Sequence, residues 1–263
     1  MNLMELIVDR NRGHPRVQDD FLFSPELNLA GCFISKNASS LLKHSLFLTS
    51  KNLEPSDPVR NPHIVANSGL QSADIIGFEE MSRVLESGSV PKFILGRHPV
   101  SRFVSAYNSR VKKFHRESYD NEESDYLFRL RQRVIGAAEG GHASPFWKAM
   151  SEVPSLDDFA AYVLQTPDAE LDRHVVPQSY FSFSGVVDYS IVGKLESLQD
   201  FLAQLEQSIG KKLVMPPRIQ INKSVSFGTE SVISEPLVSK LIERYEQDYD
   251  FFGYEKSRSW AKW

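Results

Sequence analysis

Cysteine is nearly missing from this chain: Cys32 stands alone. No internal disulfide can form, which fits a reducing compartment. No run of about 18 apolar residues occurs, so no membrane-spanning helix is expected. The N-terminus turns charged after a few apolar residues and lacks the apolar core of a signal peptide. These absences lead to the expectation of a cytoplasmic protein. The motifs of several enzyme classes are missing too. There is no His-Glu-x-x-His, the seven histidines are scattered, and no metal site is expected. Gly-x-Ser-x-Gly is absent, as is the Gly-x-x-x-x-Gly-Lys-Ser/Thr loop of nucleotide kinases. A formal net charge of −4 argues against a general nucleic-acid binder, while leaving room for a local basic patch.

What is present is enough to build a core: 263 residues, 41% hydrophobic and 24% charged. Residues 21–35, FLFSPELNLAGCFIS, end in an apolar run that suits a buried strand, and LLKHSLFL resumes with helical content. Residues 51–64 hold three prolines and are expected to be loop. FEEMSRVLES predicts a helix stopped at Gly88, and KFIL a second buried strand. Phe103, Tyr107, Val111 and Phe114 recur at helical spacing, and residues 115–145 suggest a helix with mobile flanks. Ser155 followed by Asp158 marks a helix start. DYSIVGKLESLQDFLAQLEQSIG predicts strand, turn and helix, stopped at Gly210, and PLVSKLIERYEQDY a last amphipathic helix. Strands alternating with helices point to an α/β fold, a central mainly parallel sheet flanked by helices. No Pro/Gly/Ser linker divides the chain. One domain over 1–263 is expected, with 1–20 as a loosely ordered lead-in.

Two strand-to-helix turns carry chemistry. In an open parallel sheet, ligands bind where strand ends meet helix starts, and a helix N-terminus favours an anion. In FISKNASSLLKH, Lys36 follows the strand and Ser39 and Ser40 open the helix. A lysine, two hydroxyls and the turn amides of 36–40, including Asn37 and Ala38, would cradle a phosphate. An ordinary loop with serine caps and a solvated lysine reads equally well from these residues alone. In KFILGRHPVSRFVSAY, Arg97 and Arg102 stand at a helix start with no carboxylate near them in sequence. A cation there is disfavoured by about 0.3–1 kcal/mol unless solvated or joined by an anion. Ser101 and Ser105 lie one turn apart on that helix. The competing reading is a surface arginine paired with a distant carboxylate. Two anion-ready turns together would suit a ligand with two separated phosphates.

KNASS followed by GRHPVSRFVSAY resembles the paired phosphate motifs of sulfotransferases that use 3′-phosphoadenosine 5′-phosphosulfate (PAPS). Arg97, Pro99, Arg102, Ser105 and Tyr107 match the Arg-x-Pro-x-x-Arg-x-x-Ser-x-Tyr pattern at the right spacing. PHIVAN, DRHVVPQ, DYSIVGKLESLQDF and YEQDYDFFGY extend the likeness to carbohydrate sulfotransferases of the chondroitin and dermatan type. The resemblance spans roughly residues 28–254. The chain departs from the animal enzymes in lacking a proline before Lys36, the Cys-Thr pair of that loop, the cysteines after His-x-x-Pro-Gln, and a membrane anchor. Those departures suit a soluble bacterial member.

The resemblance implies a P-loop-like sulfotransferase fold. It also implies transfer of a sulfuryl group from PAPS to a hydroxyl of a glycan or other acceptor by in-line displacement, leaving 3′,5′-ADP. Lys36, Asn37, Ala38, Ser39 and Ser40 would hold the 5′-phosphosulfate, with Lys36 stabilising charge on the bridging oxygen. Arg97 and Ser105 would hold the 3′-phosphate. His63 is the first candidate for the base and His174 the second. The basic stretch 109–116 could meet an anionic glycan or be a solvated face, and NKS at 222–224 could cover the nucleotide. Two rivals stand beside this reading. Asp248-Tyr249-Asp250 offers the Asp-x-Asp of metal-dependent glycosyltransferases, and a family member could bind nucleotide or glycan without turnover.

Overall fold

Residues 21–35 yield two strands rather than one. Phe21–Ser24 (β1) and Leu29–Cys32 (β2) pair antiparallel, with Phe21 opposite Cys32 and Ser24 opposite Leu29. Pro25 and a left-handed Asn28 (φ 45°) make the turn between them, a conformation asparagine tolerates. Lys92–Gly96 (β3) and Ile191–Lys194 (β4) complete a four-stranded sheet in the order β1-β2-β3-β4, with β2, β3 and β4 parallel. The fold is thus α/β with a mainly parallel sheet and flanking helices, as the alternation predicts. Every residue of β2 and β3 is buried, as expected for strands covered on both faces. The computed structural model describes residues 1–12, 14, 16–57, 69–112, 122–139, 153–217 and 234–256.

The described chain divides into two compact units: Met1–His98 with Gln178–Lys223, and Pro99–Pro177 with Ser224–Trp263. The first holds the sheet and the helices Leu3–Arg10 (α1), Ser39–Lys51 (α2), Ala73–Ile76 (α3) and Phe78–Glu86 (α4). The second holds Pro99–Tyr107 (α5), Glu122–Ala138 (α6) and Leu156–Gln165 (α7). Gln178–Phe181 (α8) and Leu198–Ile209 (α9) return to the first unit, and Glu235–Arg244 (α10) and Glu246–Phe252 (α11) belong to the second. The loosely ordered lead-in expected at 1–20 is instead helical over residues 3–10. Asn2 and Glu5 form a capping box, Met4 and Ile7 are fully buried, and the Met4 N–H donates to Ser82 Oγ at 2.9 Å. The apolar residues are few, but they fall on one helical face.

Phe93 is the centre of the first core. Its ring meets Phe33 edge-on at 5.2 Å and Phe201 at 6.0 Å, geometry that aromatic quadrupoles favour. Glycines make room for these rings: a Cβ at Gly31 would lie 2.4 Å from the Phe93 ring, and one at Gly193 would lie 2.2 Å from the Phe201 ring. In the second unit, Phe103 stacks on Phe159 at 5.1 Å, and the Tyr107 hydroxyl donates to Pro154 O at 3.0 Å. Ser155 and Asp158 form the expected capping box of α7. The helix from Pro99 buries Phe103, Tyr107 and Val111, but turns π-helical over Asn108–Lys112; Phe114 lies outside the described residues. The last predicted helix breaks at Tyr245, whose buried hydroxyl donates to Val175 O at 2.7 Å.

Because Phe93 is wedged between two other rings, it cannot swing away from a new methyl. Gly31→Ala should destabilise the protein by about 1–3 kcal/mol, measured by urea unfolding; an unchanged midpoint would show that the ring yields.

Candidate active site

The chain leaves β2 through a loop that few sequences adopt without reason. Lys36 (φ 74°) and Ala38 (φ 56°) both take left-handed backbone, at about 1–2 kcal/mol each for a residue with a Cβ. Ala38 is the N-cap of α2 and, being alanine, supplies no side-chain cap. The first turn of a 13-residue helix, the positive end of its dipole, therefore has no side-chain cap. Lys36, Ser39 and Ser40 are half-buried around it. That is the donor set of an anion site.

Asn37 holds this loop in shape. Its side chain is buried, and Nδ2 donates to Leu95 O at 2.8 Å and to Gln178 Oε1 at 2.6 Å. Its main-chain N–H donates to Ile34 O at 3.3 Å. With both amide protons and the N–H engaged, Asn37 serves the loop's geometry rather than offering side-chain donors to an anion.

The loop after β3 is joined to the first. Arg97 Nη1 donates to Lys36 O at 3.1 Å. Gln178 grips the Arg97 backbone twice, its Oε1 accepting from the Arg97 N–H at 3.0 Å and its Nε2 donating to Arg97 O at 2.8 Å. The next amide, that of His98, donates to Glu196 Oε1 at 2.9 Å. The local sequence around Arg97 lacks a carboxylate, but the fold brings one, from just after β4, to the amide that follows it. Burial, opposed by the charge of Glu196, lowers the His98 pKa from its ordinary 6.5.

Ser105 and His174, the other described site residues, belong to the second unit. Ser105 is buried on α5. His174 sits in a turn closed by the Val175 and Val176 amides on Asp172 O, at 2.9 and 3.0 Å. Buried Asp172 accepts from the His174 main-chain N–H at 2.7 Å and contacts the ring Nδ1 at 2.7 Å. A carboxylate on one ring nitrogen fixes the orientation of the ring. Arg102 is fully buried, with Nη1 donating to Val176 O at 2.7 Å and Nη2 to Arg173 O at 3.0 Å. Together with Tyr245 on Val175 O, it clamps the carbonyls on both sides of His174. The second arginine of the Arg-x-Pro-x-x-Arg motif is thus a structural residue of the histidine turn.

His63 lies outside the described residues, as do residues 113–116 of the basic stretch and 222–224. The two carboxylates of the Asp-x-Asp triplet diverge. Asp248 is wholly buried, while Asp250 pairs with Lys256 at 2.9 Å near the surface. Residues two apart on a helix do not share a face. Gln178, Glu196 and His98 have no role in the reading from sequence, although Gln178 ends DRHVVPQ, Glu196 lies within DYSIVGKLESLQDF and His98 within GRHPVSRFVSAY.

Two outcomes follow. Arg102→Ala should cost about 3 kcal/mol, since two buried carbonyls lose charged donors; a urea midpoint near wild type would refute the clamp. Unfolding frees His98 to take a proton that the folded protein resists, so its contribution to stability is lost as pH falls below 6.5. His98→Gln should flatten that acid limb in urea melts from about pH 7.5 to 5; an unchanged limb would assign it elsewhere.

The profile of the sulfotransferase family matches residues 19–255. Among curated proteins, carbohydrate sulfotransferase 12 of Mus musculus is 24% identical over 246 residues, covering 86% of this chain and 57% of the mouse protein. Carbohydrate sulfotransferase 11 of Mus musculus is 23% identical over 236 residues, covering 85% and 63% respectively. The chain therefore spans about six tenths of the length of these relatives. No solved structure matches. Both anion-ready loops, the Gln178 bridge and the His174 turn fall within the matched span, and the chain belongs to the sulfotransferase family.

Proposed function

We propose that the protein transfers the sulfuryl group of PAPS to a hydroxyl of a carbohydrate or glycoconjugate. The observation that carries this is the joining of the loops after β2 and β3 through Arg97 Nη1 on Lys36 O. It presents a lysine, an uncapped helix start and an arginine from neighbouring strand ends, a set suited to two phosphates rather than one. The names of the mouse relatives support a carbohydrate acceptor.

PAPS supplies an activated sulfuryl group and a good leaving group, and the chain's part is positioning and electrostatics. The α2 amides, Ser39 and Ser40 would hold the 5′-phosphate. Lys36 would balance charge growing there during transfer. Arg97 and Ser105 would bind the 3′-phosphate and so select against nucleotides without one. A histidine would take the acceptor's proton. His174, oriented by Asp172, has the arrangement such a base needs, and His63 is the other candidate.

The test is transfer of label from ³⁵S-PAPS across a panel of glycans, lipids and small alcohols, with release of 3′,5′-ADP followed in parallel. Transfer to a glycan is expected. Lys36→Ala should lower kcat by about 10²–10³-fold, and Arg97→Ala should weaken 3′,5′-ADP binding by about thirtyfold. Binding of 3′,5′-ADP with no transfer to any acceptor would leave a binding protein. No nucleotide binding at all would refute the reading.

A further inference from the structure

A strand's hydrogen-bonding ladder ends where its neighbours diverge, and the residues beyond must find other partners for their N–H and C=O groups. Beyond β3 that residue is Arg97, and the partner is a side chain. Gln178 is completely buried and its amide meets the Arg97 N–H and C=O together, at 3.0 and 2.8 Å. A neighbouring strand would offer the same pair of groups. The same Oε1 also accepts from Asn37 Nδ2 at 2.6 Å, and that nitrogen's second proton goes to Leu95 O at 2.8 Å. One buried amide therefore fixes the main chain of the arginine loop and, through Asn37, the lysine loop. These residues all belong to one compact unit.

We propose that Gln178 is the positioning residue of the donor site, setting the two loops at the spacing of the two phosphates of a 3′,5′-bisphosphonucleoside. This rests on the donor reading above. Gln178 needs no contact with the nucleotide. Its effect passes through Arg97, whose backbone it holds, and through the Lys36–Ala38 turn, whose shape Asn37 keeps. Loosening it should blur the distance between the anion sites more than it weakens either one. The sensitive readout is thus discrimination between isomers of equal charge.

The test compares 3′,5′-ADP with 2′,5′-ADP by calorimetry, in wild type and in Gln178→Met, which keeps the side-chain length without its polar atoms. Gln178→Glu, which retains an acceptor but loses the donor to Arg97 O, is the second variant should the first fail to fold. The wild type is expected to prefer the 3′,5′ isomer. The variants should lose about tenfold of that preference, with faster amide exchange at Arg97 and a circular dichroism spectrum like the wild type's. A merely structural role would lower thermal stability while leaving the isomer ratio intact, and an unchanged ratio in folded variants overturns the inference alone. A wild type that binds neither isomer overturns the donor reading and this inference with it.

Discussion

The loops after β2 and β3 share a single buried amide that pairs with the Arg97 backbone as a neighbouring strand would. Parallel sheets bring helix starts and strand ends to one edge, but they do not by themselves set how those ends are spaced. At this edge the Gln178 amide completes Arg97 on both sides and holds Asn37. Removing it would take a partner from the half-buried Arg97 N–H and C=O and from one proton of the buried Asn37 amide. An unsatisfied buried group costs about 1–3 kcal/mol. Such a network specifies one arrangement of the loops because a partial version of it is worse than none.

The charges are arranged on the same principle. Lys36 and Arg97 are half-buried at neighbouring strand ends, whereas Arg102 is buried completely and serves backbone carbonyls. Two arginines five positions apart in one motif thus have different work, and burial separates them. Glu196 adds a carboxylate at the His98 amide, so the loop after β3 is not as bare of negative charge as its local sequence suggests. The left-handed turns at Lys36 and Ala38 add a local backbone cost in the same loop.

The parts of the fold written in local pattern are legible in the sequence. β3, β4, the Ser155 cap and the Gly210 stop follow from periodicity and capping chemistry. So did the two loops, because a lysine or arginine just past an apolar run is visible in one dimension. The β1–β2 hairpin has little signature because each strand is only four residues long, and the apolar run that ends 21–35 marks a single strand. The α1 helix was missed because its apolar face is only three residues wide. The break at Tyr245 is set by a partner at Val175, far away in sequence. Gln178 and Glu196 were illegible for the same reason: a buried glutamine or a loop glutamate has no local signature of the backbone it serves.

If the loops after β2 and β3 form one site for two phosphates, a crystal structure of the complex with 3′,5′-ADP will have the 5′-phosphate on the α2 start beside Lys36, Ser39 and Ser40, and the 3′-phosphate on Arg97. A nucleotide bound with either phosphate away from these loops would contradict it.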